Sequence, residues 1–213
     1  MNETYTLYGS RGSGSAAVEV ALEACGLAYR MVRAATWEPD SALEELRRVN
    51  PMQQIPTLVL PDGGVMTESA AILLHLGFDV PAGRRLLPED SGARAQAIRG
   101  LVFIAANCYS AISIADYPER WTLSTDDKGR EDLRQGTRKQ LHRHWEVFAD
   151  TFTGTPFLSG AQPGALDFLA AVVSKWAGTR AHLRENRPKF LGTLESIEAH
   201  DIVAPVFARH WDA

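Results

Sequence analysis

The chain has 213 residues, of which 45% are apolar and 23% are charged, and its formal net charge is -4 at pH 7. These values are typical of a soluble globular protein with one large domain or two small ones. The charge forms no long basic run, which argues against a nucleic-acid or anionic-membrane partner and favours a small-molecule ligand.

The sequence shows no signal for export, for a membrane span or for a metal. The first ten residues lack the basic and apolar regions of a signal peptide. No stretch approaches the roughly 18 consecutive apolar residues of a membrane span, so we expect a cytoplasmic protein. Cys25 and Cys108 belong to no CxxC or Cys/His cluster. We therefore expect buried free thiols, with no disulfide and no metal site.

Strand and helix signals alternate in the first part of the chain. A short β run at 5–8 leads into a turn of small residues at 9–14, and Ser15 fits the N-cap or first turn of a helix that ends before Gly26. The apolar helical stripe of that helix contains Cys25. A strand and a short helix follow, and then a hairpin of two antiparallel strands and another helix. These four features are predicted at 29–32, 43–49, 57–66 and 69–76.

The periodicity lapses from 79 to 92, where proline and glycine punctuate a polar stretch typical of an interdomain linker. We therefore predict an α/β domain at 1–80, a linker at 81–92 and an all-α C-terminal helical bundle at 93–213. The order βαβ followed by ββα predicts a mixed four-stranded sheet in the first domain. Apolar stripes predict helices in the second at 98–112, 141–152, 165–176, 190–199 and 202–209. The first stripe consists of Ile98, Leu101, Val102, Ala105, Tyr109 and Ile112.

Three segments of the α/β domain carry the functional argument. The glycine- and serine-rich turn at 9–15 precedes a helix, whose free N–H groups and dipole favour an anion. It matches neither the Walker A pattern nor GxGxxG, so nucleotide binding is not supported. The segment 50–58, Asn-Pro-Met-Gln-Gln-Ile-Pro-Thr-Leu, has a proline before a strand that would hold an extended backbone for a peptide-like ligand. Glu68 and Ser69 open a helix after a strand. Taken singly, the segments also fit a plain turn, a helix-to-strand connection and an N-cap.

Together, the three segments resemble the glutathione transferase family. Its thioredoxin-like domain shows the same element order, a Ser, Tyr or Cys after the first strand, an Asn-Pro-x-Gly-x-Val-Pro motif and a Glu/Gln-Ser pair. The resemblance extends to the helical domain, where Phe-Leu-Ser-Gly at 157–160 and the downstream Asp167 are similar to the family's capping motif. It implies a glutathione transferase fold, glutathione as co-substrate, a small hydrophobic electrophile as partner, a role in detoxification and a homodimer.

The resemblance also implies roles for residues that bind glutathione. Pro56 would be a cis proline, and the Ile55 main chain would hydrogen-bond the cysteinyl part. Glu68 would face the free amino group and Ser69 the γ-glutamyl carboxylate, whereas Gln54 would lie near the glycyl carboxylate.

The thiolate donor is expected within the loop that follows the first strand. Serine-type, theta- or beta-like relatives written Leu-Tyr-x-x-Pro-Gly-Ser imply that Ser13 hydrogen-bonds the glutathione sulfur, with Ser15 and Ser10 as alternatives. Gly14 falls where the cysteine-type bacterial branch keeps its Cys, which argues against a thiol-transferase role. Tyr8 is expected in the packing of the strand.

The electrophile is expected against the helical domain, whose aromatic and amide groups are typical of an apolar pocket. The candidates are Asn107, Tyr109, Tyr117, Trp121 and Trp176. Ordinary core packing is the alternative for Tyr109 and Trp176. The sequence departs from the family pattern at Gln53 and Gly164, which replace a Gly and a Ser or Thr. The alternative function is a non-catalytic transferase-like module for binding glutathione or another ligand, or for protein interaction.

Overall fold

A computed structural model of the chain describes residues 4–79 and 85–211. The predicted linker at 81–92 lies partly outside these residues, and its described end already contains the start of a helix at Ser91. The boundaries of the two predicted domains therefore remain predictions.

The N-terminal region contains a mixed four-stranded sheet, as the strand signals predict. Its strands lie in the order β2-β1-β3-β4, with β1 parallel to β2 and antiparallel to β3, and with β3 antiparallel to β4. The elements are β1 (Tyr5–Gly9), α1 (Ser15–Cys25), β2 (Tyr29–Arg33), α2 (Leu43–Val49), β3 (Thr57–Val59), β4 (Val65–Met66) and α3 (Ser69–Asp79). The predicted element order and the antiparallel hairpin are thus confirmed.

Helix α1 is buried along almost its whole length beside the sheet. It ends at Gly26, which adopts the left-handed conformation (φ 63°, ψ 33°) that glycine reaches without steric cost. Cys25 and Cys108 are both buried, as expected from the sequence, and neither forms a disulfide. Tyr8 is also buried and packs with Ala34 and Leu46, which confirms its place in the packing of the strand.

The C-terminal region is helical. Its elements are α4 (Ser91–Phe103), a π-helical segment (Ile104–Tyr109), α5 (Ser110–Asp116), a 3-10 turn (Pro118–Arg120), α6 (Asp127–Thr151), α7 (Ala165–Val173), α8 (Thr179–Asn186), α9 (Pro188–Glu198) and α10 (Ala204–His210). Helix α8 was not predicted, because only Thr179 and Leu183 among its residues are buried and its apolar stripe is too sparse to detect. Helix α7 ends at Val173, whereas the sequence predicted a helix extending to Trp176.

The buried face of the first long helix is narrower than its apolar stripe. Leu101, Ile104 and Cys108 are fully buried, whereas Val102 is 52% exposed. The prediction that Val102 belongs to the buried stripe is therefore wrong. The π-helical segment begins only at Ile104, so Val102 is exposed because it lies beside the buried face formed by Ala97, Leu101 and Ile104.

The long helix Ser91–Asp116 is also apolar enough, by length and composition alone, to cross a membrane. The sequence did not predict this, because Gly100, Asn107, Ser110 and Ser113 interrupt the apolar run. In the structure Leu101, Ile104 and Cys108 of this helix belong to the main hydrophobic core.

Asp167 fastens the start of α7 to the preceding loop. Its carboxylate accepts hydrogen bonds from the backbone N–H groups of Leu158 (2.7 Å), Ser159 (3.0 Å) and Gly164 (3.0 Å). The predicted capping motif is thus present, although Gly164 contributes no side chain to it. Burial raises the pKa of Asp167, although the hydrogen bonds that it accepts act in the opposite direction.

Glu19 joins α1 to the C-terminal helix α10. Its carboxylate lies 2.8 Å from Arg209 Nη2 and 2.7 Å from His210 Nε2, and the side chains of Glu19 and His210 are both almost fully buried. Burial by itself raises the pKa of Glu19, but the hydrogen bonds from His210 and Arg209 outweigh it, so the pKa is lowered. The folded state therefore favours the charged carboxylate.

We expect Asp167→Ala to destabilise the fold by about 3 kcal/mol or more, because an unsatisfied buried N–H group costs about 1 to 3 kcal/mol and three would lose their acceptor. Asp167→Asn keeps one acceptor oxygen and should lie between Asp167→Ala and the unchanged protein. Chemical denaturation measures both free energies of unfolding. A loss below about 1 kcal/mol for Asp167→Ala would contradict the role of the cap.

We expect Glu19→Gln to lower the free energy of unfolding at pH 7 by about 1 to 3 kcal/mol, the range for hydrogen bonds to charged groups. Because the folded pKa lies below the ordinary value of 4.5, this contribution is present above about pH 4.5 and disappears as the pH falls through the folded pKa. The matched control is Glu23→Gln, which removes a half-exposed carboxylate 3.0 Å from the same Arg209. It should change stability by less than about 1 kcal/mol. Equal effects of the two variants at pH 7 and pH 3 would refute the buried pair as the cause.

Candidate active site

The three candidate serines lie together between β1 and α1. Ser10, Ser13 and Ser15 are 4%, 6% and 0% exposed, and the oxygens of Ser13 and Ser15 are 2.8 Å apart. Gly9 has no side chain at the point where Ser15 packs, and a Cβ there would overlap the Ser15 hydroxyl. The structure thus brings the predicted hydroxyls into one buried cluster.

The hydroxyl hydrogens of this cluster are used inside the protein. Ser13 Oγ donates to the Ser10 carbonyl (2.7 Å), and Ser15 Oγ lies within reach of the same carbonyl (3.2 Å) and of Ser13. Ser10 Oγ donates to Glu38 Oε1, and Glu38 is paired with Arg33 at 2.6 Å. Each serine has one O–H donor. A ligand could receive one of these hydrogens only if a bond within the cluster were broken.

The C-terminal helix also holds the loop. The Gly12 N–H donates to His210 Nδ1 at 3.2 Å, so the imidazole proton lies on Nε2, where it faces Glu19 Oε2. Gly12 has φ 68°, a left-handed value that favours glycine. Glu19 and His210 therefore position the loop through one N–H group.

Sequence reasoning missed Glu38, Glu19 and His210. Glu38 and His210 carry no local signal, because each meets the loop from a distant part of the chain. Glu19 did carry one, since an acidic residue beside the apolar stripe of α1 must find a partner when the helix is buried.

Asn50 shapes the second segment. Its side-chain nitrogen donates to the Gln54 carbonyl and to Thr57 Oγ1, both at 3.0 Å, and its oxygen accepts from the Met52 N–H at 3.0 Å. The Gln54 carbonyl is thereby fixed, whereas its side chain is exposed to solvent. The hydrogen bonds of Asn50 therefore fix the backbone conformation of this loop.

The peptide bond between Ile55 and Pro56 is cis, as the resemblance implied. Gln53, where the family pattern has Gly, adopts φ 54°, which is the conformation that glycine reaches most easily. Within residues 4–79 and 85–211, nothing hydrogen-bonds to the N–H or carbonyl of Ile55. This backbone is free to pair with an extended ligand.

Ser69 opens α3, and its side chain is 9% exposed. Its hydroxyl has no hydrogen-bond partner in the described part of the chain. Glu68 precedes it at φ 62° with an exposed side chain. An unpartnered hydroxyl beside a helix N-terminus is suited to a carboxylate, and Glu68 is suited to a cation.

Tyr109 reaches the serine loop from the helical region. Its hydroxyl lies so close to Gly14 that a Cβ on Gly14 would overlap it. The ring packs edge-on against Trp176, with centroids 5.7 Å apart. Burial raises the pKa of Tyr109 to about 12, and the negative charge of Glu68 adds to the rise. Tyr109 thus lies against Gly14 and Trp176, within the electrostatic reach of Glu68.

Asn107 and Tyr117 make their side-chain contacts within the helical region. Asn107 donates to the Phe103 carbonyl (3.1 Å), and its own carbonyl pairs with His144 Nδ1 (3.0 Å) on α6. The Arg120 guanidinium lies 4.0 Å from the centre of the Tyr117 ring, and Trp121 is 56% exposed. Tyr109 and Trp176 are therefore the candidates that the structure brings to the loop. Within the described residues, no cluster of three His, Cys, Asp or Glu residues could hold a metal.

Sequence comparison identifies relatives along most of the chain. A family model described as "Glutathione S-transferase, N-terminal domain" matches residues 15–77. The "Uncharacterized GST-like protein YncG" of Escherichia coli (strain K12) is 30% identical over 193 residues, which cover 90% of this chain and 91% of that protein.

Solved structures share the fold. A glutathione transferase homolog from Sulfitobacter, with bound glutathione, has a TM-score of 0.82 at 23% identity and covers 96% of this chain and 97% of its own. A sphingomonad glutathione S-transferase complexed with glutathione has a TM-score of 0.78 at 21% identity, over 98% of this chain and all of its own. Since the match to YncG also extends along nearly the whole of both proteins, this chain belongs to the glutathione transferase family.

Proposed function

We propose that the protein is a glutathione transferase that binds glutathione across the N-terminal region and transfers its sulfur to a small apolar electrophile. The observation that carries this proposal is the backbone of Ile55, which makes no hydrogen bond to any residue that the structure describes. Strand pairing of Tyr8 with Thr57 places this backbone beside the end of β1 and thus beside the serine loop. An extended tripeptide paired with Ile55 would lie between that loop and α3.

Each end of the tripeptide has a matching group in the structure. Ser69 and the first N–H groups of α3 would receive the γ-glutamyl carboxylate, while Glu68 would face the amino group. The exposed side chain of Gln54 would approach the glycyl carboxylate, and the Ile55 backbone would pair with the cysteinyl part.

The chemical task is to keep the glutathione thiol ionised, since an ordinary thiol has a pKa of about 8.5. The N-terminus of α1 supplies partial positive charge, and a hydroxyl hydrogen bond would lower the pKa further. Ser13, Ser15 and Ser10 are the candidates indicated by sequence for that hydroxyl. The thiolate then attacks the electrophilic carbon, and the departing group leaves with its bonding electrons.

The electrophile would lie against Tyr109 and Trp176, at the cleft between the loop and the helical region, with Asn107, Tyr117 and Trp121 as further candidates for its pocket. A homodimer and a cytoplasmic location remain part of the proposal. The thiols of Cys25 and Cys108, neither of which forms a disulfide, fit a reducing compartment.

One observation favours a second function. Because the serine hydroxyls donate within the protein, the loop by itself offers no unused O–H group for a thiolate. A non-catalytic module that binds glutathione or another ligand without ionising a thiol, or that serves in protein interaction, would need none.

We expect Ser69→Ala to weaken glutathione binding about 10- to 100-fold, because a hydrogen bond to a charged group contributes about 1.5 to 3 kcal/mol. Titration calorimetry with reduced glutathione measures the Kd. Cysteinylglycine lacks the γ-glutamyl group, so it should bind the variant and the unchanged protein equally.

The matched control is Ser91→Ala, which removes a serine from the first position of another helix, α4, and should leave the Kd unchanged. If the unchanged protein shows no saturable binding at millimolar glutathione, the proposed function is wrong. If binding occurs but no thiolate absorbance develops in the bound state near neutral pH, the non-catalytic module is the better description.

A further inference from the structure

The backbone conformation of Gly14 does not explain why this residue is a glycine. Its φ of -61° and ψ of -15° lie in the right-handed region that any residue adopts. What excludes a side chain is space, because a Cβ would overlap the Tyr109 hydroxyl. The absent side chain at Gly14 therefore lets a helical-region hydroxyl reach the N-terminus of α1.

The position of Tyr109 is set by its neighbours. It is the last residue of the π-helical segment, beside the fully buried Cys108, and its ring is held edge-on by Trp176. π turns redirect the side chains that follow them and occur often at functional sites. The hydroxyl is thus placed by packing rather than by a hydrogen bond of its own.

Tyr109 also has the right protonation state for a donor. With a pKa of about 12, the hydroxyl keeps its proton at neutral pH. Within residues 4–79 and 85–211 this hydroxyl has no hydrogen-bond partner. The serine hydroxyls differ in this respect, because their hydrogens are already used. Tyr109 is therefore the hydroxyl at the loop that can donate without breaking a bond.

We propose that Tyr109 is the catalytic hydroxyl, donating its hydrogen bond to the glutathione sulfur across Gly14, while the serine cluster holds the shape of the loop. The inference rests on the proposed function and deepens it by assigning the thiolate donor. The thiol loses its proton to solvent, the tyrosine keeps its own, and nothing is oxidised or reduced. The thiolate would lie beside the Tyr109 hydroxyl, at the positive end of the α1 dipole.

The decisive experiment measures the ionisation of bound glutathione without an electrophile, from the ultraviolet absorbance of the thiolate as a function of pH. We expect Tyr109→Phe to raise the pKa of the bound thiol by about 1 to 2, as the loss of one hydrogen bond to an anion predicts. At a pH below that pKa, kcat/KM with an aryl halide should fall about 10- to 100-fold, because the thiolate fraction falls by the same factor.

Gly14→Ala is an independent variant, since its backbone conformation suits alanine and its Cβ would push the Tyr109 hydroxyl away. By itself it should raise the pKa of the bound thiol as Tyr109→Phe does. Combined with Tyr109→Phe, it should add little, because the hydroxyl that it displaces is already gone. Additive effects of the two substitutions would contradict the proposed contact.

Tyr8→Phe is the matched control, because the Tyr8 hydroxyl is also buried but donates to Glu45 at 2.6 Å. It should leave the pKa of the bound thiol unchanged. A rise with Ser13→Ala or Ser15→Ala, but none with Tyr109→Phe or Gly14→Ala, would overturn the proposal in favour of a serine donor. A loss of turnover in Tyr109→Phe with an unchanged pKa of the bound thiol would also overturn it, since Tyr109 would then act on the electrophile.

Failure of the proposed function has a different signature, because calorimetry would show no glutathione binding to the unchanged protein. Binding with a normal Kd and an unchanged pKa of the bound thiol in both Tyr109→Phe and Gly14→Ala would overturn the tyrosine assignment alone. Tyr109→Phe keeps the ring that packs on Trp176, and its thermal unfolding midpoint should remain close to that of the unchanged protein.

Discussion

The site depends on a short loop that is held from outside. The turn between β1 and α1 consists mainly of glycine and serine, and side chains from outside it contact three of its residues. Glu38 binds the hydroxyl of Ser10, His210 accepts the N–H of Gly12, and Tyr109 packs against Gly14. These groups come from three distant parts of the chain. A loop fixed in this way presents the N-terminus of α1 in one geometry before any ligand arrives, which reduces the ordering cost of binding.

The same contacts make the two regions interdependent. The charged Glu19 is buried in α1, and a buried charge is tolerated only when it is paired. Its partners, Arg209 and His210, come from α10 near the C-terminal end of the described residues. His210 also accepts a hydrogen bond from the Gly12 N–H and thereby links Glu19 to the loop. Helix α1 also packs against α7 of the helical region. Any disturbance of the C-terminal helix should therefore reach the loop, although α10 is remote from it in sequence.

Local chemistry made much of this predictable from the sequence. The hairpin, the left-handed Gly26, the Asp167 cap and the cluster of serines each follow from residues close together in the chain. The structure added what long-range packing decides. Helix α8 is too polar to show a stripe, and Val102 lies beside the narrow face on which Leu101 and Ile104 are buried. The roles of Glu38 and His210 arise only when distant segments meet, so no spacing rule could have identified them.

The role proposed for Tyr109 depends both on the local chemistry of the loop and on long-range packing. A serine on the loop is close to a ligand bound at α1, but it can also bond to the loop backbone, as Ser13 does. A tyrosine is stiffer, and its hydroxyl lies several bonds from its own backbone, so it cannot satisfy itself in this way. Brought in from the helical region, the Tyr109 hydroxyl has no partner in the described residues and is buried, and a hydrogen bond to an anion is stronger in such surroundings than in water. On this view the N-terminal region alone recognises glutathione, whereas ionising its thiol requires the helical region as well.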